Sequence, residues 1–351
     1  MNRPELHKTA IDLLKALIST PSYSGQEDDT ATLIFDALKD EGFHPHRKLN
    51  NVWAAADAPD KDKPTILFNS HHDTVKAGSS WSYDPFKPSQ EGDKLTGLGS
   101  NDAGGPLVSL FAAFIHLSSL EREYNLIFAA TAEEENSGIN GIRAILEELG
   151  PVDFALVGEP TQMQMAIAEK GLVVLDCVSY GKTGHAARNE GDNALYKAMK
   201  DIEWFKTYEF PAVSTLLGAV HMCVTQIKAG SQHNVVPDRC SFVVDVRTTE
   251  CYSNEEVVDH IKEHVHCEVI PRSLNLNSSG LPVDHPVVLK GLDLGLEYYG
   301  SATMSDQVHM NFPSLKIGPG DSKRSHTPDE YILISEIEEG IQLYIKLLEN
   351  L

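Results

Sequence analysis

The sequence predicts an α/β domain, a mixed and mostly parallel sheet sandwiched by helices, interrupted by an inserted α+β module. Three observations predict it: short unbroken apolar runs, helical stretches lying between them, and a central segment whose strands read differently. The runs are TILFNS, NLIFAAT, FALVG and, much later, SLKIG. Continuous apolar runs of this length suit strands buried on both faces, as in parallel sheets. Alternation of such strands with helices calls for a sheet covered on both sides.

Taken in order, two helices open the chain. In MNRPELHKTAIDLLKALIST, Leu13, Leu14, Leu17 and Ile18 recur at helical spacing, and no continuous apolar core of a signal peptide is present. The second helix follows PSYSGQEDD, whose Ser and Asp residues can cap it. GGPLVSLFAAFIHLSSL and SGINGIRAILEELG read as further helices between strands. The middle carries longer strands with partial alternation, GLVVLDCVSYG, MCVTQIKAG and CSFVVDVRTT. Helices near NALYKAMKDIEWFKTY and SNEEVVDHIKEHV interleave with them, and CEVIPRS is a last strand. That βαββαβ order predicts a compact ferredoxin-like module. Residues 171–281 are assigned to it, and 1–170 with 282–351 to the domain it interrupts. SLNLNSSGLPVDHP, rich in turn formers, is the return linker.

At 351 residues, 41% of them apolar, the chain is long enough for two domains and a large core. A formal charge of −22 disfavours nucleic acid and anionic membrane surfaces as partners. No stretch approaches the roughly 20 apolar residues a bilayer span requires. The 5 cysteines are odd in number and form no C-x-x-C pair, so a disulfide framework or thiolate zinc site is not expected and a reducing cytoplasm fits.

Each apolar run of the α/β domain leads into residues that can hold a metal. TILFNS runs into His71-His72-Asp73, NLIFAAT into Glu133-Glu134-Glu135, FALVG into Glu159, and SLKIG through GPGDSKRS to His326. In open α/β sheets ligands bind at the carboxyl ends of strands. A fifth piece, GLGSNDAGG, sets Asp102 in a glycine-rich turn before a helix. Imidazole plus carboxylate without thiolate suits zinc, manganese or cobalt in a catalytic role. Two imidazoles and three carboxylates suffice for two ions sharing one carboxylate, and paired ions can activate a bridging water. A glutamate beside a ligand glutamate can take the water's proton and pass it to the leaving amine. Taken singly, each feature has a plainer reading: a lone histidine is usually surface or core, and a glutamate triplet is usually a solvated face. The weight lies in five pieces, each at a strand end or tight turn.

These residues resemble the M20 family of metallopeptidases and deacylases, in order and over nearly the whole chain. The motifs are LIST-PSYSGQE, SHHDTV, GLGSNDAGG, TAEEENSG, VGEPT, GKTGHAA, HNVVPDRCSFVVDVR and GPGDSKRSHTPDEY. VGEPT and the terminal GPG…H-x-P-D-E-Y resemble especially the acetylornithine deacetylase, succinyl-diaminopimelate desuccinylase and acetyl-lysine deacetylase branch. The resemblance implies a zinc-peptidase-like catalytic domain carrying a lid and dimerisation domain. It implies that His71, Asp102 and Glu159 hold one divalent ion and that Asp102, Glu135 and His326 hold the other. Glu134 would be general base and acid, and Asp73 would orient His71. A cis peptide after Asp102 is also implied. In the inserted module, His185 would reach a partner subunit's site and steady the developing oxyanion. Asn234 and Arg247 would contact substrate, Arg247 through the α-carboxylate, although a strand-edge salt bridge is the plainer role for Arg247.

The activity implied is hydrolysis of the amide bond of a small N-acylated amino acid by a cytoplasmic homodimer with two ions, zinc first and cobalt or manganese as alternatives. N-acetylornithine, and with it arginine biosynthesis, leads. N-acetylcitrulline, N-acetyl-lysine, N-succinyl amino acids including diaminopimelate, and dipeptides are the alternatives. A non-catalytic amino-acid-binding protein of the same fold is a rival of another class, against which the Glu134-Glu135 pair argues. Three places depart from the family pattern. Leu98 stands where many relatives carry Arg, Ala103-Gly104-Gly105 replaces Met-Lys-Gly, and ATMSDQV near Asp306 lacks the Arg of a T-S-D-A-R run.

Overall fold

The structure, a computed structural model, describes residues 3–188 and 190–349. It divides into two compact units. The first comprises Met1–Ile167, Leu281–Tyr299 and Ser305–Leu351, and the second comprises Ala168–Gly280 with Gly300–Met304.

In the first unit, α1 (Arg3–Ile18) and α2 (Asp28–Asp40) precede β1 (His46–Lys48), β2 (Asn51–Ala55) and β3 (Thr65–His71). A small hairpin, β4 (Ser89–Glu91) and β5 (Lys94–Thr96), leads to α3 (Gly105–Ser118). Then come β6 (Asn125–Thr131), β7 (Phe154–Val157) and β8 (Met165–Glu169). The run TILFNS becomes β3, buried at every position. It lies parallel to β6 on one side and to β7 on the other. A strand with parallel neighbours on both edges must be apolar on both faces, which is why it reads as an unbroken run.

The second unit holds β9 (Gly171–Tyr180), α4 (Ala194–Thr207), β10 (His221–Ala229), β11 (Arg239–Thr248), α5 (Asn254–His264) and β12 (Glu268–Pro271). Its sheet runs β10-β11-β9-β12, antiparallel throughout. β11 alternates buried and half-exposed residues along its length, as a sheet with helices on one face requires. Val173, Leu175, Val244, Val246, Val257 and Ile261 lie in its core beneath the two helices. This is the βαββαβ order read from the sequence.

The chain then passes β13 (Ser279–Gly280), α6 (Pro286–Asp293) and β14 (Tyr298–Ser301). It closes the first unit with β15 (Ser314–Lys316), β16 (Tyr331–Leu333) and α7 (Ile334–Leu348). β15 is parallel to β7 and antiparallel to β8, so the main sheet runs β1-β2-β6-β3-β7-β15-β8 with a parallel centre and antiparallel edges. On one face α3 packs on β3 and β6 and against α1 and α7. α3 is buried on nearly all sides, so its sequence is apolar without an obvious stripe. Among the described residues no helix is long and apolar enough to cross a membrane.

Two local expectations are corrected. SGINGIRAILEELG is not a regular helix: only Ile142–Ala144 forms a 3₁₀ turn, followed by irregular turns. The Glu133 carboxylate takes both the backbone N–H and the side-chain amide of Asn140, and such local bonds compete with a helix ladder. Ile142, Ile145 and Leu149 still cover the second face of the sheet. The cap of α2 is Glu27, with no side-chain cap bond, rather than a Ser or Asp. Its buried carboxylate instead accepts the N–H groups of Gly25 and Glu133 and the amide of Asn50.

Candidate metal centre

The candidate centre lies in the first unit, at the carboxyl ends of its central strands. His71 is the last residue of β3 and pairs in register with Thr131, the last of β6. Glu134 and Glu135 follow β6, and Glu159 follows β7. Successive residues of an extended chain point to opposite sides, and this separates the two adjacent histidines. His71 faces the carboxylates, whereas His72 turns into the protein, bonding Thr30 Oγ1 and the Asn50 carbonyl at 2.9 Å each. Burial holds His72 down at about 4, so it serves as a neutral strut.

Asp102 sits in a π-helical turn, Ser100–Gly104, that leads into α3. Gly99 opens the turn at φ 73, a conformation glycine adopts without cost. A Cβ on Gly104 would collide with the Gly99 carbonyl. The Asp102–Ala103 peptide is cis. His326, in the loop after β15, takes a left-handed φ of 58.

The side chains converge. His71 Nε2 lies 3.3 Å from Asp102 Oδ1 and 3.8 Å from both Glu134 Oε2 and Glu159 Oε1. His326 Nε2 lies 2.9 Å from Glu135 Oε2 and 3.5 Å from Asp102 Oδ2. Two donor groups result, His71–Asp102–Glu159 and Asp102–Glu135–His326, each with ligand atoms within 4.8 Å of one another. Asp102 belongs to both, presenting one oxygen to each imidazole.

Asp73 holds this arrangement from behind. Its Oδ1 is 3.3 Å from His71 Nδ1, which aims Nε2 at the carboxylates. The same carboxylate accepts the backbone N–H groups of Glu134 and Glu135, at 3.1 and 3.2 Å, and the Ser24 hydroxyl at 2.7 Å.

The electrostatics fit cations. Burial would pull His71 down, but Glu134, Asp102, Asp73 and Glu159 outweigh it and hold the imidazole protonated well above its usual range. His326 is raised to about 9, chiefly by its bond to Glu135. Burial, then the charges of Glu159, Asp306 and Glu135, push Glu134 well above the carboxylate range despite the pull of His71. So many carboxylates crowded at a strand end need positive charge among them. Divalent ions would supply it and free the imidazole nitrogens, and this nitrogen–oxygen donor set suits catalytic zinc, manganese or cobalt.

Two buried acids had no role in the sequence reading. Asp306 accepts the Thr131 hydroxyl at 2.6 Å beneath His71, and burial raises it to about 6. Glu330 is pushed to about 8 by burial and by the neighbouring Asp102 charge, although it accepts three backbone N–H groups. A signal existed for Glu330: an acid four residues after His326, leading into the apolar run YILI.

Residues 67–350 match the peptidase family M20/M25/M40. The chain belongs to that family. This M20/M25/M40 chain is 26% identical to an acetylornithine deacetylase of Shigella sonnei, over 97% of each chain. It is 28% identical to a succinyl-diaminopimelate desuccinylase of Beijerinckia indica, over 71% of this chain and 70% of that one. The fold matches that of the Bacillus subtilis YxeP protein, described as a dinuclear metal-binding peptidase, with a TM-score of 0.77, 17% identity, and 99% of each chain covered.

The remaining residues picked out in the sequence lie in the second unit. His185 and Asn234 are exposed on neighbouring loops, joined by a bridge from His185 to Val235 and by the Ala186 N–H donating to the Asn234 carbonyl. Arg247, on β11, grips Asp245 through Nε and Nη2 at 2.8 and 3.1 Å.

Proposed function

We propose that this M20/M25/M40 hydrolase cleaves the amide bond of a small N-acylated amino acid, releasing the amino acid and a short carboxylate. The observation that carries the reading is the sharing of Asp102 by two donor groups with Glu134 beside them. In this reading His71, Asp102 and Glu159 hold one divalent ion and Asp102, Glu135 and His326 the other. Two bound ions, zinc or alternatively cobalt or manganese, would supply Lewis acidity at the scissile carbonyl and an activated water.

The chain's own residues do the rest. Glu134 is half-enclosed and poised to hold a proton, so it takes one from the attacking water and delivers it to the departing amine. Asp73 keeps His71 and the Glu134 backbone in register. His185 reaches a partner subunit's site and steadies the oxyanion developing there, and Asn234 and Arg247 bind substrate. Asp245 engages Arg247 through Nε and Nη2, and Nη1 is the edge offered to an α-carboxylate. Support for these three roles comes from the motifs GKTGHAA and HNVVPDRCSFVVDVR.

We read the second unit, Ala168–Gly280 with Gly300–Met304, as a lid that also pairs two copies of the chain. β10 supports this: it is an edge strand of its sheet with Ile227 exposed, and such an edge pairs readily with another chain. Free cysteines at 177, 223, 240, 251 and 267 fit a reducing cytoplasm.

Acetyl is the favoured acyl group and N-acetylornithine the leading substrate, supported by the Shigella sonnei relative's match over nearly the full chain. The test is kcat/KM across N-acetylornithine, N-acetylcitrulline, N-acetyl-lysine, their succinyl counterparts, N-succinyl-diaminopimelate and dipeptides, with and without chelator. N-acetylornithine should lead and chelator should abolish turnover. A dipeptide leading the panel overturns the deacylase reading, and full turnover in chelator overturns the metal reading.

A further inference from the structure

We propose that Glu330 is the positioning residue that clamps the Asp102 turn to the His326 loop, and so sets the spacing of both divalent-ion groups. The inference rests on the reading of Asp102 as a shared ligand.

Glu330 is only 2% exposed. Its Oε1 accepts the backbone N–H of Asn101 at 2.8 Å and of Asp102 at 2.9 Å, and its Oε2 accepts that of Gly99 at 3.2 Å. Its carbonyl accepts the Gly97 N–H at 3.0 Å. The turn carrying Asp102 therefore has its donors gathered on one side chain, and that side chain sits four residues beyond His326. A second tie joins the same two segments: the Asp321 N–H donates to Asn101 Oδ1 at 2.9 Å, and Asn101 Nδ2 donates to the Asp321 carbonyl at 3.1 Å. Asp102 and His326 come from distant parts of the sequence, and these bonds fix their separation.

The chemistry of the side chain supports the role. A carboxylate buried beside another acid is an unfavourable neighbour, so its presence calls for a compensating task. Three converging N–H donors are that task, and they need acceptors on both oxygens. Glutamine keeps one acceptor, for Asn101 and Asp102, and turns an NH₂ toward the Gly99 N–H. Alanine leaves all three buried donors unpaired. Glu330 donates no ligand atom to either ion group, so it acts through Asp102 and is not itself a catalytic residue.

The test is titration of metal-free protein with Co²⁺, read by its visible absorption bands and by calorimetry, with melting temperature recorded in parallel. Wild type should take up two equivalents. Glu330→Gln should weaken uptake about tenfold and Glu330→Ala by up to about 100-fold, the range for residues that orient metal ligands, with altered absorption bands at saturation. Leu38→Ala, in the α2 core, should lower the melting temperature while leaving Co²⁺ affinity unchanged. If Glu330→Ala does not fold, Glu330→Gln decides. Wild-type affinity and bands in the Glu330 variants overturn the inference, as does a weakening no larger than that of Leu38→Ala. Wild type taking up no Co²⁺ overturns the two-ion reading itself, and the inference with it.

Discussion

Asp73 reaches Glu134 through the backbone: its Oδ1 accepts the Glu134 N–H at 3.1 Å while lying 3.3 Å from His71 Nδ1. One buried carboxylate thus fixes both the imidazole proposed to hold an ion and the residue proposed to move the proton. Asp73→Asn keeps the shape but sets an amide NH₂ against these N–H donors. Its activity should fall by about 10- to 100-fold with weaker metal uptake, measured as kcat/KM beside metal content. Unchanged kinetics would contradict the role.

Glu134 should show the opposite pattern. It contributes to neither three-residue donor group, so Glu134→Gln should retain its metal. Its kcat should fall by about 10²- to 10⁴-fold, the usual contribution of a positioned acid–base. Metal analysis and steady-state kinetics on one preparation check this, and retained turnover would remove Glu134 from the mechanism.

Much of this candidate centre was legible in the sequence because four of the five segments that meet there follow the apolar runs that become the parallel strands, the fifth being the glycine-rich turn of Asp102. Each strand end is a fixed point, so His71, Glu134, Glu135 and Glu159 could be placed before their contacts were known. The plainer reading of Arg247 as a strand ion pair is also present, in its grip on Asp245. What escaped were residues whose role exists only in tertiary contact. Glu330 and Asp306 are buried acids serving segments distant in sequence: no local pattern marks Asp306, and the place of Glu330 between His326 and YILI does not reveal the Asp102 turn it holds. SGINGIRAILEELG has helical spacing of its apolar residues, yet the Glu133–Asn140 bonds override it. The roles of His185 and Asn234 rest on motif alone, since exposed loop residues carry no periodic signal.

His309 gives a pH prediction independent of the metal centre. Burial, then the nearby Arg143 charge, lowers it to about 4 from an ordinary value near 6.5. A histidine depressed in the folded state leaves stability intact above pH 6.5. As pH falls toward 4 the unfolded chain gains a proton the folded one refuses, and stability is lost. His309→Gln removes this term. Its stability relative to wild type should therefore rise between pH 7.5 and 5, on the order of 1 kcal/mol after solvent screening. Denaturant melts of both proteins at the two pH values measure it, and parallel pH dependence would contradict the assignment.

The two donor groups also predict graded dependence on metal. Metal-free protein should regain amide hydrolysis as zinc, cobalt or manganese is added. His326→Ala, which breaks only the Asp102–Glu135–His326 group, should bind one ion tightly and lose the second. Two tight equivalents in that variant would remove His326 from the ligand set.

The most direct test is the anomalous scattering of a crystal grown with Zn²⁺. The account predicts two peaks about 3.5–4 Å apart, one on each side of the Asp102 carboxylate, the first bounded by His71 and Glu159 and the second by Glu135 and His326. No peak at Asp102, or zinc bound only elsewhere on the chain, would contradict it.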